Sequence, residues 1–238
     1  MKPNNFIFAD LSTYTPKETM VFYETVFGWT YYESDGYYSA YKGNKEICGL
    51  YETPEKFKQM RMPHFWMSYI QVSSVDQTVD KAKKLGGIIE MVDESVLGNV
   101  ALIRDPQGSG FTVYEGENLT HTRTQNEANT LIWNELHVSN AANVIPFYEG
   151  IFNWDFVNRG NDTYNIQTHN GDHIADLMEI PNDFKGKYEY WVCSFGVEDL
   201  SKTRDKILNL GGTLVSDEGD RILLTDNSRE AFFYVQEV

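Results

Sequence analysis

Apolar and polar residues switch period along this chain in a regular order. Phe6 to Thr13 alternates as a strand. A helix is expected next, with Thr15 as N-cap, Pro16 at the first helical position and Glu18 completing a capping box. Met20, Tyr23 and Phe27 form its apolar stripe, flanked by Phe22 and Val26, and Gly28 ends it. Strands are expected at Tyr37 to Lys42 and Glu46 to Tyr51. The order then restarts with a strand at Trp66 to Val72 and a helix from Ser74 to Leu85, stopped by Gly86 and Gly87. Strands near Ile88 to Met91, Val100 to Arg104 and Phe111 to Glu115 complete a pattern of βαβββ, twice.

The second half repeats the first. A shift of 125 residues carries Phe22-Tyr23-Glu24 onto Phe147-Tyr148-Glu149, Trp29 onto Trp154, Trp66 onto Trp191 and Leu85-Gly86-Gly87 onto Leu210-Gly211-Gly212. Near the end the shift is 121, placing Asp105 on Asp226 and Phe111 on Phe232. Pro146 falls inside the expected first helix of the second half, which predicts a late start near Asn143 or a bend. The polar stretch between the halves reads as a linker. Domain one is placed at 5–116, the linker at 117–130 and domain two at 131–238.

Composition narrows the partners. A net charge of −15 repels phosphate backbones, so nucleic acid is not an expected partner. No apolar run reaches the roughly 20 residues of a membrane helix, and Met1 to Asn5 leads into no apolar signal-peptide core. The expectation is a cytoplasmic protein without a membrane partner. Cys48 and Cys193 lie in no CxxC or Cys/His cluster and read as reduced, buried thiols. No GxGxxG, P-loop or GxSxG motif is present.

The motifs Phe22-Tyr23-x3-Phe27-Gly28-Trp29, Leu85-Gly86-Gly87 and Asp105-Pro106-Gln107-Gly108, with their counterparts in the second half, resemble the vicinal oxygen chelate superfamily. Glyoxalase I, bleomycin-resistance proteins and extradiol dioxygenases belong to it. Trp133-Asn134-Glu135-Leu136 is similar to the strand start of tandem glyoxalase-like proteins. The resemblance implies an α+β fold of four βαβββ units forming two glyoxalase/bleomycin-resistance-type domains, each with a cup-shaped sheet. In the family's enzymes a divalent metal in the cup polarises substrate oxygens, held by His, Glu or Gln at set strand positions.

Carried onto this chain, those positions fall on Phe8, Gly49, Met67 and Thr112 in the first half, and on Trp133, Asp176, Val192 and Phe233 in the second. Only Asp176 is a metal-ligand type, so no metal or other cofactor is expected. A divalent metal stays an alternative only with displaced ligands. Phe8, Met67, Tyr69, Trp133 and Phe233 instead suggest an apolar cup for a small, aromatic or apolar molecule, or a cup plugged by its own side chains.

Strand parity puts Asp10 on the face of Phe8, and Glu135 and His137 on the face of Trp133. Glu135 and His137, with Asp176 near them, form a candidate acid–base pair; the alternative is a structural ion pair. His64, at a strand mouth, reads as a solvated loop residue. His173 and Asp176, three apart on a strand, are expected on opposite faces. Residues 56–63 read as a lip or as an ordinary connection. Three functions stay open: a metal-free small-molecule binder, an enzyme using Glu135 and His137 or a displaced metal, and a structural module. A monomer and a homodimer are both compatible with the repeat.

Overall fold

The computed structural model describes residues 3–95 and 98–238; Met1 and Lys2 of the N-terminal stretch read above lie outside it. The fold is α+β. The first half supplies β1 (Asn5–Thr13), α1 (Pro16–Phe27), β2 (Thr30–Ser34), β3 (Tyr37–Lys42), β4 (Lys45–Glu52), α2 (Glu55–Gln59), β5 (Phe65–Gln71), α3 (Val75–Lys84), β6 (Ile88–Ser95), β7 (Gly98–Arg104) and β8 (Gly110–Glu115). The second supplies β9 (Leu131–Val138), α4 (Ala141–Phe152), β10 (Trp154–Gly160), β11 (Thr163–Thr168), β12 (His173–Glu179), a 3-10 turn at Asn182–Phe184, β13 (Tyr190–Val197), α5 (Leu200–Asn209), β14 (Leu214–Asp217), β15 (Arg221–Thr225) and β16 (Phe232–Glu237). Each half forms one eight-stranded sheet. The orders are β2-β3-β4-β1-β5-β8-β7-β6 and, equivalently, β10-β11-β12-β9-β13-β16-β15-β14.

Packing follows a different grouping from the chain order. One compact unit comprises residues up to Ile7, Ser68–His121 and Asn134–Val192; the other comprises Phe8–Met67, Thr122–Trp133 and Cys193–Val238. The first unit has its own core, in which Val79 and Ala82 of α3 and Phe147, Tyr148 and Phe152 of α4 lie with Ile70, Phe111, Leu136 and Trp191. The second has an equivalent core, with Phe22, Tyr23 and Phe27 of α1 and Ile207 of α5 among Leu11, Trp66, Phe195 and Phe233. Each core thus draws on both halves of the sequence.

The repeated motifs do the same structural work in each unit. In one, the Trp191 indole donates to the Tyr148 hydroxyl (3.0 Å), which donates to Asp105 Oδ2 (3.0 Å). In the other, the Trp66 indole donates to Tyr23 (3.0 Å), whose phenol pKa is raised by burial and, after it, by the Asp226 charge. Trp29 donates to the Asn129 carbonyl (2.8 Å) and Trp154 to the Asn4 carbonyl (2.9 Å). Asn129 and Asn4 both hold left-handed backbone (φ 59° and 64°), which Asn tolerates better than most residues.

Several local expectations change. Thr15 is the N-cap of α1 and Pro16 follows it, but the Thr15 side chain makes no cap hydrogen bond, so the capping box is not formed. The Thr13 hydroxyl accepts from the Thr15 N–H instead (3.2 Å). Helix α4 begins at Ala141, earlier than expected, because Asn140 caps it by accepting from the Ala142 N–H (3.0 Å). Pro146 is accommodated inside it. Strand β2 was not marked by the sequence pattern, and residues 56–59 of the anticipated lip lie in α2.

Candidate functional site

On β9, Leu136 and Val138 enter the helix-side core. Alternation turns Trp133, Glu135 and His137 to the other face. There Glu135 and His137 are 3% exposed each and in contact: His137 Nε2 lies 2.7 Å from Glu135 Oε1. At the start of β13, the Tyr190 hydroxyl lies 3.1 Å from His137 Nδ1. A carboxylate only accepts, so Nε2 carries the proton toward Glu135. Nδ1 then presents a lone pair, and Tyr190 donates to it. The result is a hydrogen-bonded row of Tyr190, His137 and Glu135 within one packing unit. Burial, and after it the Glu135 charge, pushes the Tyr190 phenol well above its ordinary range, so it stays protonated.

Asp176 pairs with Glu135 in the backbone register of β12 and β9. Its carboxylate, however, is bonded to His173 Nε2 (2.8 Å), with Arg159 at 4.0 Å. His173 and Asp176 therefore meet, contrary to the expectation from simple alternation. The cause is a shift of register between Ile166 and Gln167 of β11: Ile166 pairs with Ala175, and Gln167 with His173. The extra residue on β12 re-aims the strand.

The equivalent face of the first half is organised around Asp10 of β1. Tyr37 donates to Asp10 Oδ2 (3.3 Å) and stacks near Tyr51 with centroids 6.3 Å apart. Asp10 pairs with Gly49 in the β1–β4 register, as Glu135 does with Asp176, so Gly49 and Asp176 are structural counterparts. The Tyr37 phenol lies directly over Gly49: a Cβ built there would overlap its hydroxyl and ring carbon. Burial first, and Asp10 second, raise the Tyr51 phenol pKa.

The remaining candidates divide by packing unit. Phe8 and Met67 are buried in one unit, and Tyr69 is half-buried in the other. Trp133 carries the Arg123 guanidinium 4.4 Å from its ring centroid, a cation–π contact. Phe233 is a correction. It lies in the helix-side core, with ring centroids 5.8 Å from Tyr23 and 6.0 Å from Phe195. The turn before β16 is one residue longer than its counterpart: Asp226 N–H reaches the Ala231 carbonyl, whereas Asp105 N–H reaches that of Ser109. One added residue reverses strand parity. Register therefore matches Tyr234, opposite Ser194, with Thr112, opposite Tyr69. Tyr234 donates to Glu218 (2.7 Å) beneath the Arg221 guanidinium, 4.2 Å from its ring. His64 is also corrected. It is buried, with Nδ1 2.9 Å from the Thr13 hydroxyl and its backbone N–H on Glu230 (3.0 Å).

Tyr190, Tyr37 and Tyr234 were not singled out by the sequence. A comparison of the halves carries a signal for Tyr190. Phe65, Ser12 and Asp10 stand where the second half has Tyr190, His137 and Glu135, so the hydroxyl and the imidazole arrive together.

The positions that the resemblance picks out for metal ligands hold Phe8, Gly49, Met67 and Thr112 in the first half, and Trp133, Asp176, Val192 and, by register, Tyr234 in the second. Aromatic, aliphatic and thioether side chains are poor donors for a hard divalent cation. Tyr37 already fills the space a ligand at residue 49 would need. Among the described residues, no group of three or more His, Cys, Asp or Glu side chains is arranged to hold a metal. The donor set does not fit the metal of the family's enzymes.

No protein-family model matches the chain. Among curated proteins it is similar to "Putative glyoxylase CFP32" of Mycobacterium tuberculosis, 28% identical over 222 residues, 89% of this chain and 84% of that protein. It is also similar to "Anthracycline biosynthesis protein DnrV" of Streptomyces peucetius, 24% identical over 200 residues, 81% of this chain and 72% of that protein. Among solved structures it resembles homoprotocatechuate 2,3-dioxygenase from Brevibacterium fuscum (TM-score 0.65, 14% identity, 99% of this chain and 82% of that one). The 2,3-dioxygenase LapB from Pseudomonas sp. KL28 gives 0.63 at 14% identity, over 100% and 94% of the two chains. The Mn(II)-bound glyoxalase from Novosphingobium aromaticivorans gives 0.63 at 12% identity, over 99% and 82%. With the two eight-stranded βαβββ sheets, these likenesses show that the chain has the fold of these dioxygenase and glyoxalase structures.

Proposed function

We propose that this protein binds a small aromatic or apolar molecule on the helix-free face of a sheet, without a metal ion. The observation that carries the proposal is the replacement of metal ligands by Phe8, Met67 and Trp133, with Tyr37 seated over Gly49. Aromatic and thioether surfaces contribute contact area to a planar ligand, and a few polar groups fix its orientation. Glu135, His137 and Tyr190 supply such groups in one unit; Asp10 and Tyr37 supply them in the other. The likeness to an anthracycline biosynthesis protein agrees with a polycyclic aromatic ligand class.

The test is a thermal-shift screen of the whole chain against hydroxylated naphthalenes and anthraquinones, beside Mn(II), Fe(II), Ni(II) and Zn(II). A ligand at 100 times its Kd stabilises the native state by about 2.7 kcal/mol. Stabilisation by members of the aromatic panel is expected. Stabilisation by a metal and by no aromatic compound would reverse the reading.

A second reading is favoured by one observation, the bonded pair of Glu135 and His137. In it the protein is a metal-independent acid–base enzyme of the lyase or isomerase kind. A lyase or dioxygenase with a displaced metal would have to recruit His173 and Asp176 and find further donors; the metal arm of the same screen tests it.

A further inference from the structure

We infer that the outer hairpin of the first sheet carries a separate ligand site, a corner of Tyr32 and Tyr41 beside Glu46 that takes a small organic ammonium ion. Strand β2 is the edge of that sheet and pairs with β3. On β3, Ala40 enters the helix-side core, and its partner Tyr31 on β2 packs against the same core. Alternation turns Tyr32 and Tyr41 to the opposite face. Their rings meet edge to face, with centroids 5.2 Å apart and planes at 89°. With Gly43 and Asn44 of the β3–β4 turn they line an open cleft of about 310 Å³, at the small end of small-molecule sites. Tyr32 is 67% exposed and Tyr41 partly so, which leaves both rings within reach of a ligand from solution.

The charges around the corner select a cation. Two perpendicular rings offer it two π faces, and each attracts a positive group within about 6 Å of its centroid. Glu46 stands opposite Tyr41 in the β3–β4 register, so the two side chains leave the same face as neighbours. Its charge is felt at the ring: burial first, then Glu46 and then Tyr32 raise the Tyr41 phenol pKa. Glu33, next to Tyr32, adds a second carboxylate, which accepts from the Gly36 N–H (3.1 Å). The two lysines of the turn are held elsewhere. Lys42 donates to the Ala128 carbonyl (2.7 Å), with Glu127 at 3.5 Å, and Lys45 pairs with Glu127 (2.5 Å). A hard metal ion is a poor fit, since calcium takes about six to eight oxygen ligands and the corner is built mainly of ring faces. An organic ammonium group, its charge spread over methyl groups, suits aromatic walls instead.

The second half shows that the fold does not demand this corner. By register, Val157, Gln167 and His173 stand where the first half has Tyr32, Tyr41 and Glu46. Core-facing positions on the same strands keep their type: Tyr31 matches Phe156 and Ala40 matches Ile166, each in or against a core. The aromatic pair and its carboxylate are therefore particular to the first half and are not set by core packing. Contact between two cross-strand tyrosines would by itself stabilise an edge hairpin, but it leaves Glu46 without a part, and a neutral ligand of the same shape separates the two explanations.

The test titrates the full chain with choline and, separately, with its neutral isostere 3,3-dimethylbutan-1-ol at fixed ionic strength, following backbone amide resonances by NMR. Choline should shift the Gly43 and Asn44 amides saturably, and the alcohol should bind about fivefold more weakly or less tightly still. Tyr32→Leu should weaken choline binding by about two- to fivefold, the range for one cation–π contact at an exposed site. Tyr32→Trp should strengthen it, since indole is the better π surface, and Glu46→Gln should weaken it by about twofold or more. An otherwise unchanged amide spectrum shows that each variant is folded. Equal binding of the alcohol, no saturable choline shift at Gly43 and Asn44, or a choline affinity that neither Tyr32 variant changes would overturn the site. The aromatic ligand proposed above rests on other residues, so its own screen decides it separately.

Discussion

A methyl group on Gly49 would overlap the Tyr37 hydroxyl, so an alanine there forces the half-buried Tyr37 ring to shift. Gly49→Ala is expected to destabilise the chain by about 1–3 kcal/mol, the usual cost of forced overpacking. Tyr37→Ala should absorb most of that cost in the double variant, and urea unfolding of the four proteins in the cycle measures it. A Gly49→Ala penalty that Tyr37→Ala does not reduce would show that Tyr37 does not occupy this space. Asp105 offers a pH test. Burial raises its pKa, against the pull of the Gly108, Gln107 and Ser109 N–H groups and of Tyr148. Because the folded value lies above the unfolded one, its contribution is fully present below the unfolded pKa and is lost as pH rises through the folded pKa. The stability advantage of wild type over Asp105→Asn should therefore shrink from acid toward neutral pH. An advantage that grows over that range would contradict the assignment. At this scale the sequence made Glu135 and His137 legible, because alternation alone puts them on one face. Tyr190 was not legible, since it lies 53 residues from His137 on another strand, and contact across a sheet leaves no local mark.

Elements were readable where a cap or a period was strong. Ser74 was expected to open the second helix of the first half, and its side chain does cap α3 by accepting from the Gln77 N–H (3.3 Å). Thr15 holds the same position on α1 without a side-chain bond. Ser74→Ala should therefore cost about 1 kcal/mol, within the usual range for a lost cap, and Thr15→Ala clearly less. Equal losses by thermal unfolding would reject the difference. Strand parity was readable only as far as the first irregularity. The register shift on β12 brought His173 to Asp176, and one extra turn residue moved Phe233 into the core and put Tyr234 in its place. Neither insertion changes the apolar pattern, so periodicity could not reveal them. Short β2 had too few alternating residues to stand out, and four of the lip residues folded as part of α2.

For the whole molecule, the repeat was legible but its use was not. The FY and Asp motifs that mark the two halves meet across them: Tyr148 bonds Asp105, and Tyr23 feels the charge of Asp226. Tyr23→Phe and Tyr148→Phe each leave an indole N–H with one partner fewer, and Tyr148→Phe also the buried Asp105 carboxylate, at a cost of about 1–3 kcal/mol. The two rows share no residue, so a urea titration of the double variant should show nearly additive losses. A double variant no less stable than either single one would mean that the rows are not independent. The central claim, ligand binding that needs no metal, is tested most directly by calorimetric titration. The tightest aromatic ligand from the screen is titrated into the chain before and after exhaustive EDTA treatment. The account predicts the same affinity and stoichiometry in both; affinity that disappears with EDTA and returns with a divalent metal would contradict it.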